Sequence, residues 1–205
     1  MPPQSAATTP VFALGTVLFP SGVLPLKVFE TRYIDMVREC LRNDSPFIVC
    51  RITHGSEVGE PAEHDAVGCL ARITEWDMQQ PGVLMIRAIG GQRARVLERS
   101  VQRDGLIRAR IETLDPDPDL PVPAEYAPCV KLLERLIGEL AARDIPPIAR
   151  PIAEPHELDS ASWVGNRLCE LLPLPIGARQ KLMELDDPLL RLSLLMQVLQ
   201  QRGIG

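Results

Sequence analysis

Proline sets the first limit on this chain. Its 205 residues include 20 prolines, nine of them between Pro116 and Pro155. Each lacks a backbone donor and fixes φ, so prolines belong at element ends, edges and linkers. With 45% hydrophobic residues the chain carries far too much apolar side chain for a disordered proline-rich polymer. The prolines therefore punctuate a folded protein. They predict an α+β chain in two parts, residues 1–120 rich in strands and residues 121–205 rich in helices.

The first part shows β-type runs at Val11 to Phe19, Val23 to Val28, Phe47 to Thr53 and Val67 to Thr74. Val83 to Ile89, Gln92 to Arg99 and Leu106 to Thr113 follow, with turns expected at Gly82, at Gly90-Gly91 and at Asp104-Gly105. His54 to Ala66 is expected to be a long polar connection. One helix interrupts the strands, because Tyr33, Ile34, Val37, Cys40 and Leu41 recur at helical spacing from Thr31 to Arg42. Six or seven short, mostly antiparallel strands suggest a small β-barrel with one inserted helix.

After the acidic proline linker Asp115 to Pro123 the period changes. A helix is expected from Glu125 to Arg143, then three more after Asp159, at Pro175 and at Asp187-Pro188. The last is apolar on most of its circumference, which predicts the buried centre of a helical bundle.

A net charge of −5 works against a general binder of nucleic acid or anionic membrane, since both demand a positive surface. No leader sequence and no spanning run of about 18 apolar residues is visible. The five cysteines make an odd count without close pairs, which fits a reducing, cytoplasmic setting. Enzyme chemistry is hard to find. The chain has no phosphate-cradling loop, no nucleophile elbow and no H-E-x-x-H helix, and no cofactor is implied.

Two clusters imitate metal sites. Cys50, His54, His64 and Cys69 combine zinc-ligand types, yet both cysteines fall on apolar strand faces where thiols pack as hydrophobes. Asp115, Asp117 and Asp119 imitate the opening of a calcium loop. Leu120 and Tyr126 then stand where that loop needs glycine and glutamate, so an acidic linker is expected instead.

A third cluster is a candidate binding face. Seven arginines lie between Val83 and Arg110 against only Glu98 and Asp104. Strand alternation puts Arg93 and Arg95 on one face, and Arg108 and Arg110 opposite Ile107, Ala109 and Ile111. If these strands pair, the four arginines form a basic patch for acidic protein segments or RNA. The competing reading is an ordinary solvated sheet face, and the lack of aromatics there leaves bases nothing to stack on.

The segment from Val11 to Met36 carries the most information. It contains Leu18-Phe19-Pro20, Leu24-Pro25-Leu26, Phe29-Glu30, Arg32-Tyr33 and Met36, and it resembles the N-terminal substrate-binding domain of Lon-type ATP-dependent proteases. Val67 to Ile73 looks like that family's V-G-x-x-A-x-I strand. Gly90 to Leu97 looks like its G-x-x-R-F/A-R-V segment, and Leu171 to Pro175 matches its helical tail. The resemblance implies a PUA-like small β-barrel followed by a C-terminal helical bundle. It implies a non-catalytic module for unfolded or apolar polypeptide segments or a partner protein, an adaptor in quality control, with no ATPase or serine–lysine peptidase part. Phe29, Glu30, Arg32 and Tyr33 match the motif and are expected to tie the helix to the barrel. An apolar groove is expected between barrel and bundle. The alternative, by analogy with PUA-like barrels, is RNA or nucleotide binding through the arginine face.

Overall fold

The computed structural model describes residues 8–203. The strands are β1 (Thr9–Leu14), β2 (Val23–Val28), β3 (Phe47–His54), β4 (Glu63–His64), β5 (Val67–Gln80), β6 (Val83–Val101) and β7 (Ile107–Thr113). Helix α1 (Thr31–Asn43) lies between β2 and β3, and α2 (Ala127–Ala141), α3 (Ala161–Leu171), α4 (Ile176–Glu184) and α5 (Pro188–Gln201) follow the sheet. This is the expected α+β order, an antiparallel-rich sheet with one inserted helix and then helices alone.

Strand pairing runs β1–β7–β6–β5–β3, and a parallel pairing returns β3 to β1, so five strands form a barrel-like ring. Each of the five gives apolar side chains to one small cluster: Val11, Ile48 and Cys50, Leu70, Ala94, and Ile107 with Ala109. A ring this narrow admits mainly small and β-branched residues. The other face of β1, with Phe12 and Leu14, packs against Tyr33, Met36 and Val37 of α1 in a second cluster. Burial on both faces explains the unbroken apolar run of β1.

The strand β6 departs from expectation. Gly90 and Gly91 make no turn, and β6 is continuous for 19 residues. Its first half pairs with β2 and its second half with β7. Gly90 is needed for closeness: a Cβ there would lie 2.1 Å from the carbonyl oxygen of Phe19. Its N–H donates to Gly22 O and its own carbonyl accepts from Ser21 N–H, both at 2.8 Å.

The chain after Leu14 also leaves the expected path. Val17 and Phe19 quit the sheet and enter the third cluster, whose other members are mostly helical, including Cys129, Trp163, Leu168, Leu192 and Leu195. The loop after β1, with Val67 of β5, thus joins the sheet to the helical core. On α5, Asp187 caps the first turn by accepting from Leu189 and Leu190 N–H, as the Asp-Pro pair predicts. The helix is not buried all round, however. Leu192 and Leu195 are sealed, while Leu190 and Leu194 are 45% and 37% exposed. With only three other main helices in the layer, one side of α5 has nothing to lie against.

Candidate functional site

The motif residues of the α1 entrance surround a groove of about 260 Å³. Its floor is core: Phe12 and Leu14 of β1, Val28 of β2 and Tyr33 of α1 are all buried. Tyr33 stacks on Phe12 with ring centroids 4.0 Å apart. Burial raises the Tyr33 phenol above its ordinary pKa, so it stays neutral at physiological pH. Pro25 and Leu26 form one side. The rim is mixed: Phe29 and Val58, each 53% exposed, stand beside the charged side chains of Lys27, Glu30 and Glu57.

Both rim residues are held in place by fixed backbone. Phe29 immediately precedes the helix, and Tyr33 and Ile34 N–H both donate to Glu30 O at 3.0 Å. The Glu30 carboxylate pairs with Arg32 at 3.0 Å and accepts from Gly59 N–H. Arg32 is 6% exposed, donates to Gly105 O at 3.1 Å, and lies 4.7 Å over the Tyr33 ring. On the Val58 side, Glu57 accepts from Gly15 N–H at 2.6 Å. The loop is therefore tied to β1 and to the α1 entrance at once.

The placement of the four motif residues is thus split. Glu30, Arg32 and Tyr33 tie α1 to the strands and loops around it, and Phe29 alone projects outward. Sequence reasoning missed Val58, because it stands among polar residues in what looked like a plain connection. This groove lies on the sheet side, away from the expected place between barrel and bundle.

The arginine face is corrected by the structure. Arg93 points inward, 3% exposed, and its guanidinium lies 2.7 Å from Asp117 while donating to Met183 and Leu185 carbonyls. Arg108 pairs with Glu39 of α1 and Arg110 with Glu98. Arg95 is exposed and lies opposite Glu112 in the ladder. Alternation gave the direction of these side chains but not the carboxylates that other elements bring to them. The four do not assemble into an open basic patch.

Asp117, expected in an acidic linker, is 5% exposed. It joins Arg93 to Arg191 of α5, 2.6 Å away, and accepts from Ser162 Oγ of α3. Cys50 and Cys69 are fully buried and His54 is exposed, and among the described residues no three His, Cys, Asp or Glu side chains gather as a metal site.

The Leu18-Phe19-Pro20 motif lies at the joint between sheet and helices. Arg167 of α3, 1% exposed, donates to the carbonyls of Pro20 and Ser21, and Glu170 accepts from Phe19 N–H at 3.2 Å. Burial pushes the Glu170 carboxyl up to about 7, with Arg167 opposing the shift.

Residues 8–201 match the model of the ATP-dependent protease La (LON) substrate-binding domain. A solved Lon N-terminal domain protein from Xanthomonas campestris is 35% identical, with a TM-score of 0.74 over 94% of this chain and 98% of that one. Lon protease 2 of Herpetosiphon aurantiacus is 28% identical over 96% of this chain and 24% of its own length. Protein cereblon of Gallus gallus is 34% identical over 48% of this chain and 22% of its own. The chain thus spans about a quarter of the length of these curated relatives. Among the described residues no helix is long and apolar enough to cross a membrane.

Proposed function

The chain belongs to the ATP-dependent protease La (LON) substrate-binding domain family, and from that premise we propose that it is a non-catalytic module that binds apolar polypeptide segments in the groove beside Phe29. One observation carries the reading: a buried aromatic floor lies open between two apolar side chains that the fold holds out to solvent. Scattered exposed apolar residues are ordinary, but here two of them rim one concave surface whose floor is buried and largely apolar. An unfolded chain supplies such segments and a folded protein hides them, so the module acts as a quality-control adaptor.

Covering the exposed halves of Phe29 and Val58 is worth roughly 1 kcal/mol each. A Phe29→Ala, Val58→Ser double variant should therefore bind a carboxymethylated, permanently unfolded protein roughly 30-fold more weakly. Fluorescence anisotropy gives the affinity, which should change little between low and moderate salt because the contacts are apolar. Absence of binding at tens of micromolar, about −6 kcal/mol, or an undiminished affinity in the double variant, would reject the groove. The RNA alternative gains nothing from the structure, because Arg93, Arg108 and Arg110 already face carboxylates.

A further inference from the structure

A second cavity, of about 440 Å³, lies between the β5–β6 hairpin and the proline segment that follows α2. Three arginines from three parts of the chain meet in its wall: Arg87 from β6, Arg143 from just past α2, and Arg150 from the proline segment. The opposing acids are Glu75 and Glu154, so one positive charge is left over in a protein whose net charge is −5. His156 also lines the cavity, and the rest of the lining is largely aliphatic, with Ile137, Leu140, Ile145 and Ile152.

Of the three, Arg87 is poorly satisfied, while Arg143 and Arg150 are exposed. The Arg87 side chain is only 13% exposed, yet its ion pair to Glu75 is long at 3.4 Å. Its Nε–H is buried with no acceptor among the described residues. Among the described residues Arg150 donates only to Ile145 O, at 3.4 Å. Among the described residues neither Arg143 nor Glu154 has an ion-pair partner. A buried guanidinium N–H without an acceptor is costly, and a carboxylate with its two oxygens is the acceptor whose fork geometry matches it.

We infer that this cavity is a binding site for one carboxylate carried on an aliphatic body, either the free carboxyl end of an apolar polypeptide or a free aliphatic acid. The single excess positive charge matches a single carboxylate, and the isoleucine and leucine walls take the hydrocarbon. The site is separate from the groove beside Phe29 and stands without it.

The test uses titration calorimetry on the intact chain with three probes: acetyl-Ala-Leu-Leu with a free carboxyl, the same peptide as its amide, and hexanoate. The free acid should bind at least about tenfold more tightly than the amide. An Arg143→Ala, Arg150→Ala variant should lose that difference. Both positions are exposed, so its melting temperature should stay at the wild-type value, and a Phe29→Ala variant should bind the acid normally. Binding of the peptide acid without hexanoate assigns the site to polypeptide ends, and binding of hexanoate shows that a free acid suffices. Equal binding of acid and amide, an unaffected arginine variant, or no binding of either acid at about 5 mM would overturn the proposal.

Discussion

Asp117 and Arg191 meet at 2.6 Å with their side chains only 5% and 1% exposed, joining the linker after the sheet to the last helix. Arg93 of β6 shares the same carboxylate at 2.7 Å. One acid therefore compensates two buried guanidiniums from the two halves of the molecule.

Removing that acid should be severe. Asp117→Asn leaves Arg93 and Arg191 with carbonyl acceptors but no counter-charge. Breaking a buried pair from one side typically costs about 3–5 kcal/mol. Urea unfolding should show a loss of that order, whereas Glu98→Gln, at an exposed pair with Arg110, should leave the urea midpoint nearly unchanged. Equal small losses would show that the buried pair contributes nothing special.

The glycines offer a paired prediction. Gly90→Ala would press its Cβ to 2.1 Å from the backbone oxygen of Phe19, and backbone cannot rotate away as a side chain can. A loss above the usual overpacking cost of about 1–3 kcal/mol is expected. Gly138 in α2 has nothing within 4 Å of the same atom, so Gly138→Ala should stabilise by about 0.5–1 kcal/mol. Thermal unfolding of the two variants checks both signs.

Glu170 makes stability depend on pH at the sheet–helix joint. Its folded pKa of about 7 lies above the ordinary 4.5. A raised carboxyl contributes stability that is complete below its unfolded pKa and is lost as pH rises through its folded one. Its contribution should thus fall between about pH 4.5 and 7, by up to about 3 kcal/mol. Glu170→Gln keeps an oxygen for Phe19 N–H and cannot ionise. Its stability relative to wild type should therefore rise across that interval, as urea midpoints at pH 5, 6, 7 and 8 would reveal. A constant difference would mean that Glu170 titrates normally.

All five cysteines are buried and free. Burial pushes Cys50 and Cys169 up to about 12 and Cys129 to about 11, and raises Cys40 and Cys69 as well. The thiolate is the reactive form. Native protein at pH 8 should leave a thiol reagent unreacted over minutes, while the urea-unfolded chain should release five equivalents. Rapid reaction of one native thiol would place that cysteine at a surface opening.

Elements with a single strong period were legible in the sequence. The α1 expectation of Thr31 to Arg42 differs by one residue from the helix found, and the turns at Gly82 and Asp104-Gly105 fall where expected, with positive φ at both glycines. The errors share a cause. Gly90-Gly91 looks like a turn along the chain, and only Phe19, 71 residues earlier, shows why a continuous strand needs glycine there. Half of the groove was legible: Phe29 stood in a motif, while Val58 was unmarked until Glu57 and Gly15 fixed its loop.

The sequence by itself determined the two-part order, because proline chemistry and hydrophobic period are local properties that each segment carries with it. It also determined the family resemblance. Tertiary structure decided the charges. Alternation along a strand can say which way Arg93 points, but whether it meets water or Asp117 depends on a linker that arrives from 24 residues further on. The energy of a charge is set by its nearest counter-charge and by the loss of water around it, and both are supplied by parts of the chain remote in sequence.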